Sequence, residues 1–262
     1  MTRRFIVPAD ARGLVGRCAV AVMAKAPAVG RVKTRLVPPL SLDEAAALGG
    51  CFLRDVTANI ALAGRSAPID GFVAYAPAGS EALFESVIEP GTGFVLADGS
   101  PSMPAGVDGF GRCLLHAVQG LLARGYGAVC LVNSDGPTLP TAFLVEAATA
   151  LAVPGDRLVL GPADDGGYYL IGMKQAHAPV FAAIDWSTER VTSQTRDRAD
   201  AIGLETVMLR SWFDVDDVAS LRVLVDALDG GGRDGSYGAP ETTRWLAETD
   251  MRRRLARVAG PA

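Results

Sequence analysis

Short apolar runs bounded by turn residues alternate with longer stretches of helical spacing along most of the chain. Runs of strand length fall at 18–23, 71–75, 93–97, 128–133, 157–160, 168–172 and 205–209. Between and after them, residues 43–63, 80–88, 112–124, 141–151, 189–202, 218–228 and 241–258 repeat apolar positions at helical intervals. Strand and helix taking turns is the βαβ rhythm. It predicts an α/β fold, a single Rossmann-like domain whose mixed, mainly parallel central sheet is covered by helices on both faces. Ser41-Leu42-Asp43-Glu44 has the form of an N-cap with acids in the first turn, where the helix dipole favours them. The expected organisation is an N-terminal leader over 1–16, the main domain over 17–228, a Gly-rich linker over 229–240 and a C-terminal helix over 241–262. The linker contains Asp229-Gly230-Gly231-Gly232-Arg233-Asp234-Gly235-Ser236, which reads as mobile chain. Arg252, Arg253 and Arg254 on the last helix read as a solvated face.

Composition narrows the class without naming a chemistry. The 262 residues are 49% hydrophobic and 21% charged, the profile of a globular protein with one large core. A net charge of −4 points to neither nucleic acid nor an anionic membrane as partner. No apolar run approaches the roughly 20 residues of a membrane span. Phe5-Ile6-Val7 is too short for a signal segment, and Pro8, Asp10 and Arg12 interrupt it. Cys18, Cys51, Cys113 and Cys130 lack metal-site spacing and read as reduced thiols, so a cytoplasmic location is expected. His116 and His177 lie far apart in sequence, and His116 on a helix face reads as packing.

Candidate chemistry begins after the first apolar run. Lys25, Arg31, Lys33 and Arg35 place four cations within eleven residues around Gly30, in a chain that is acidic overall. A strand, a glycine-containing basic loop and a helix form the arrangement with which α/β proteins hold phosphate, glycine permitting close approach and the cations supplying charge. Phosphate chemistry commonly uses a divalent cation held by carboxylates. Asp135 ends the apolar run 128–133, at the strand edge where open sheets bind ligands. In Asp214-Val215-Asp216, alternation places both carboxylates on one face of an extended segment. Asp216 or Asp217 could equally cap the following helix. Asp164-Asp165-Gly166-Gly167 reads both as a hairpin turn and as a rim presenting Asp165, with Gly166 and Gly167 bringing backbone close to a substrate. Ser187 or Thr188 is the expected cap of the helix at 189–202, and Trp186 is open between core packing and a substrate platform.

Taken in order, Lys25-Ala26-Pro27 with Gly30 to Leu36, Ser134 to Leu139, Gly161 to Gly172, Trp186-Ser187-Thr188 and Asp214-Val215-Asp216 resemble a bacterial family with the GT-A-type nucleotide-diphospho-sugar transferase fold. Its members are usually described as glycosyltransferases and are sometimes tied to arsenosugar biosynthesis. The likeness runs from about Val20 to Leu221. Lys33-Thr34-Arg35-Leu36 is also similar to the matching segment of 2-phospho-lactate guanylyltransferases. The resemblance implies Lys33 on phosphate, and Asp135 and Asp216 as ligands of Mg2+ or Mn2+. Two departures from the family pattern are Phe110-Gly111-Arg112-Cys113, where a Leu-Gly-Glu-Arg-like segment is usual, and Gly136, where cysteine is common.

The leading expectation is a metal-dependent transferase that moves a sugar from a nucleotide-sugar to a small acceptor. Asp165 would act as base on the acceptor hydroxyl, and Lys33 would stabilise charge at the phosphates. The competing expectation is a nucleotidyltransferase joining a nucleoside triphosphate to a phosphorylated substrate with pyrophosphate release. An idle nucleotide-binding protein is the third.

Overall fold

The computed structural model describes residues 13–257. Seven strands form one sheet in the order β3-β2-β1-β4-β6-β5-β7. They are β1 (Cys18–Lys25), β2 (Ile69–Ala76), β3 (Gly93–Leu96), β4 (Ala128–Val132), β5 (Arg157–Pro162), β6 (Tyr168–Met173) and β7 (Glu205–Met208). Every neighbouring pair is parallel except the two that involve β6, which runs against β4 and β5. The sheet is mixed and mainly parallel, as the alternation predicts.

Strand β1 shows why these runs read as nearly continuous apolar sequence. Cys18, Val20 and Val22 join one core cluster while Ala19 and Ala21 join the other, so both faces are buried. Helices α1 (Leu42–Ala63), α3 (Thr141–Ala152) and α5 (Val218–Asp226) cover the first face through residues such as Leu48, Phe52, Phe143 and Leu221. Helices α2 (Phe110–Leu122) and α4 (Val191–Ala201) cover the second through Leu114, Leu121 and Ala199. The Ser41 capping box forms: its hydroxyl accepts from the Glu44 N–H and the Glu44 carboxylate accepts from the Ser41 N–H.

Three expected helices differ. Over 80–88 only a 3-10 turn forms, Glu81–Leu83. Arg54 donates to the carbonyls of Ser86 and Ile88, so this stretch satisfies its backbone outside a helix. Helix α4 starts two residues later than expected and has no side-chain cap. The Thr188 hydroxyl instead bonds within its own turn, donating to Asp185 O at 2.8 Å and accepting from Arg190 N at 3.3 Å. The C-terminal stretch breaks at Thr249 into α6 (Pro240–Glu248) and α7 (Met251–Arg257). Thr and Asp compete with helix backbone, which favours a break at Thr249-Asp250.

This tail is held to the main body. The buried Asp55 carboxylate on α1 accepts from Glu241 N at 2.9 Å and Thr242 N at 2.8 Å, capping α6 from another helix. Leu246, Met251 and Leu255 complete the first core. Two of the arginines expected to be solvated are paired, Arg252 with Asp229 and Arg254 with Glu44 and Asp250. Residues 1–12 of the expected leader and 258–262 of the expected last helix lie outside the described residues. Leu14, inside the expected leader, is buried in the second core. No helix among the described residues is long and apolar enough to cross a membrane, and their four cysteines are free thiols.

Candidate active site

The parallel strands set the geometry. β1, β4, β5 and β7 point the same way, so the loops after them gather along one edge of the sheet, where open α/β sheets bind ligands. The loop after β1 carries Lys25, Arg31, Lys33 and Arg35. The loop after β4 carries Asp135, the turn after β5 carries Asp165, and the segment after β7 carries Asp214 and Asp216. A cleft of about 350 Å³ opens between the basic loop, Asp135 and Asp216. Lys25, Arg31, Lys33, Arg35, Asp135 and Asp216 all line it, and Ala74, Ala76, Ala97, Phe110 and Cys113 form its apolar end.

Lys33 does not project into the open loop. Its backbone is left-handed, with φ 51°, and its ammonium turns inward over the Phe52 ring. The side chain is 7% exposed and its Nζ donates to Val215 O at 2.6 Å, with Asp135 Oδ1 at 2.7 Å and Asp216 Oδ1 at 3.5 Å. Three oxygens match the three N–H groups of an ammonium. The residue expected on phosphate is therefore shared between the two residues expected on metal. Ser134 Oγ also donates to Asp135 Oδ1 at 2.8 Å, and Val215 N donates to Asp135 O at 2.9 Å. The loop after β4 and the segment before α5 are tied together by side chain and backbone.

The carboxylates form a larger group than Asp135 and Asp216. One ligand oxygen from each of Asp165, Asp214 and Asp216 lies within 4.8 Å of the others. The one-face placement of Asp214 and Asp216 expected from alternation is present. Burial, with repulsion from Asp165, Asp216 and Asp135, pushes the Asp214 carboxyl up to about 7. Burial and the nearby Asp135 likewise raise Asp216. A set of oxygen donors with excess negative charge fits a hard divalent cation such as Mg2+ or Mn2+. The helix-capping alternative falls to Asp217, whose carboxylate accepts from Ser220 N at 2.8 Å.

Gly166 and Gly167 do not offer their N–H groups to a ligand. Gly166 N donates to Ala163 O at 3.1 Å and Gly167 N to Asp165 Oδ1 at 2.9 Å, so the turn consumes both. Gly166 is required for another reason: its φ is 90°, and a Cβ there would lie 2.2 Å from the Glu189 carbonyl oxygen. Trp186 is partly buried and packs edge-on against Phe110, with centroids 5.7 Å apart. A Cβ on Gly111 would lie 3.0 Å from the Trp186 ring. Trp186 thus backs the cleft wall rather than forming it. Gly30 adopts φ 72° with open space around it, consistent with a turn in the basic loop.

Residues 59–188 match the family described as "Uncharacterized protein conserved in bacteria (DUF2064)". Over that stretch the chain is similar to this family. No curated protein matches the chain. Among solved structures, a candidate nucleotide-diphospho-sugar transferase from Desulfovibrio desulfuricans G20 is 29% identical, with a TM-score of 0.73. The match covers 90% of this chain and 96% of that one. A CMP:2-keto-3-deoxy-manno-octonic acid synthetase complexed with CTP is 10% identical, with a TM-score of 0.49 over 82% of this chain and 99% of its own. A 4-diphosphocytidyl-2C-methyl-D-erythritol synthase from Anaerococcus prevotii DSM 20548 is 9% identical, with a TM-score of 0.48 over 82% and 98%. The last two are too distant to speak to chemistry. The fold is that of nucleotide-diphospho-sugar transferases, which makes a transferase the class of activity this chain suggests.

Several residues at the site escaped the sequence reading. Phe110 and Cys113 on α2, and the small residues Ala74, Ala76 and Ala97 on or just after the paired strands β2 and β3, line the cleft through tertiary placement that no local motif records. Arg233, inside the Gly-rich segment, meets Asp164 at 2.7 Å and lies over Trp212 and Phe213. Tyr237 N donates to Thr138 O at 3.0 Å, so the segment is laid along the site edge.

Proposed function

We propose that the protein is a divalent-cation-dependent transferase that takes a sugar from a nucleotide-sugar to a small acceptor. The observation that carries this reading is one cleft lined by both the basic loop and Asp216, with Asp216 grouped with Asp165 and Asp214. The 29% identical relative described as a candidate nucleotide-diphospho-sugar transferase supports the substrate class.

In this reading Lys25, Arg31 and Arg35 bind the diphosphate, with Gly30 giving the loop its turn, while the apolar end of the cleft takes the nucleoside. Asp165, Asp214 and Asp216 hold Mg2+ or Mn2+. That cation supplies charge stabilisation for the departing diphosphate. Asp165 joins this set in place of the base role expected from sequence, because it lies with the other two carboxylates. Lys33 acts on protein groups: it offsets the charge of Asp135 and Asp216 and fixes the spacing of the loops that carry them.

The test is product analysis with Mn2+ present. Release of a nucleoside diphosphate from a nucleotide-sugar, by transfer or slow hydrolysis, supports the proposal. Pyrophosphate release from a nucleoside triphosphate, with nucleotide-sugars inert, would replace it with nucleotidyl transfer. Binding with neither product would leave an idle nucleotide-binding protein.

A further inference from the structure

Arg233 is a cation beside the acidic group that the proposed donor site does not use. Its Nη2 donates to Asp164 Oδ2 at 2.7 Å, and its guanidinium lies 5.4 Å from the Trp212 ring centroid and 5.8 Å from that of Phe213. Asp164 immediately precedes Asp165, and Phe213 immediately precedes Asp214. The two segments are joined by backbone bonds, Asp164 N to Trp212 O at 3.0 Å and Trp212 N to Pro162 O at 3.1 Å. Arg233 therefore sits on the junction that presents the carboxylates. Its side chain remains half exposed.

Gly230, Gly232 and Gly235 flank Arg233, Gly230 at φ 103° and Gly235 at φ 82°. Aromatic rings hold a guanidinium flat while leaving its N–H edge available, the arrangement that recognises planar oxyanions. A half-exposed arginine–aspartate pair contributes little on its own, so exchanging Asp164 for a ligand anion costs little. The carboxylates nearby would repel an anionic substrate, and a cation beside them offsets that repulsion.

We propose that Arg233 recognises an anionic oxygen group, phosphate monoester or carboxylate, on the second substrate, exchanging Asp164 for it. This rests on the transferase reading above and gives its acceptor a charge. Arg233 is a specificity-determining residue here, distinct from the basic loop that takes the donor.

The test is titration calorimetry of the full chain with Mn2+ present, using glycerol 3-phosphate and glycerate as probes and glycerol as the neutral control. Both anions should bind and glycerol should not. Arg233→Ala and Arg233→Lys should each weaken the anions at least tenfold, the lysine failing because a point charge lacks the fork. Asp164→Asn should tighten them at least threefold by removing the competing carboxylate, which a purely structural ion pair would not do. The Arg31→Ala/Arg35→Ala double variant should keep the Arg233-dependent isotherm. Equal anion isotherms in the parent and Arg233→Ala, absence of anion binding by the parent, or an Asp164→Asn variant no tighter than the parent would each overturn the proposal. Nucleotide-sugar titrations run alongside separate the two claims. Arg233-dependent anion binding without nucleotide-sugar binding would sink the donor reading alone, and nucleotide-sugar binding with Arg233-independent anions would sink this one alone.

Discussion

Replacing Lys33 by methionine, which keeps the length of the side chain and removes its charge, tests the most unexpected feature of the site. The side chain is 7% exposed and its ammonium meets Val215 O, Asp135 Oδ1 and Asp216 Oδ1. Removing one partner of a buried ion pair typically costs about 3–5 kcal/mol, because the remaining charge is left uncompensated. Here the partners are less buried: the Asp135 and Asp216 side chains are 29% and 42% exposed, so water screens part of the penalty. A loss of about 2 kcal/mol is expected after that discount. Urea unfolding at pH 7 measures it, and the midpoint should fall with little change in slope. A cycle with Asp135→Asn should show coupling of about 1 kcal/mol, because the asparagine no longer needs the ammonium. If Lys33→Met unfolds within about 0.5 kcal/mol of the parent, the size of an ordinary surface change, and instead loses nucleotide affinity, the lysine works on phosphate as the family resemblance implies. The charge-offsetting account of Lys33 would then be wrong.

Asp55→Ala should cost about 2 kcal/mol in thermal or urea unfolding, since two N–H groups at the start of α6 lose their acceptor. Burial raises the Asp55 carboxyl, so the folded state holds its proton to higher pH than the unfolded chain does. That contribution to stability is present below the ordinary carboxylate value, about 4, and is lost as pH rises through the raised folded value. Asp55→Asn should therefore show a flatter stability profile than the parent just above pH 4, and an unchanged profile would contradict the assignment. Gly166→Ala should lower stability by about 1–3 kcal/mol through its left-handed backbone alone, with further loss from the clash at Glu189. A Gly166→Ala variant as stable as the parent in urea would rule out that tight packing.

The central strands were legible because burial on both faces leaves runs of apolar residues that turn residues punctuate, whereas the edge strand β7 has no buried residue. Ser41 to Glu44 gave one helix start with its cap. The helices that went astray depended on distant partners: Arg54 takes the carbonyls over 86–88, and Asp55 caps α6 across 186 residues of chain. Strand-end logic placed Asp135 at the ligand edge and alternation put Asp214 and Asp216 on one face, while the grouping of Asp165 with them came only from the fold. It could not show that Lys33 turns inward, because the direction of a side chain on a left-handed residue is decided by what packs beneath it. Composition also made Arg233 look like part of a mobile linker, when Trp212, Phe213 and Asp164 give it a fixed place.

The central claim is tested most directly by thermal shift with a panel of nucleotide-sugars, with Mn2+ or with chelator, on the parent and on Asp216→Asn. A ligand present at about 100 times its dissociation constant stabilises the folded state by about 2.7 kcal/mol, a readily measured rise in melting temperature. The account predicts that at least one nucleotide-sugar raises the melting temperature of the parent with Mn2+, fails to do so with chelator, and fails in Asp216→Asn under both conditions. A nucleotide-sugar that stabilises parent and variant equally, with or without Mn2+, or a panel in which none stabilises the parent, would contradict it.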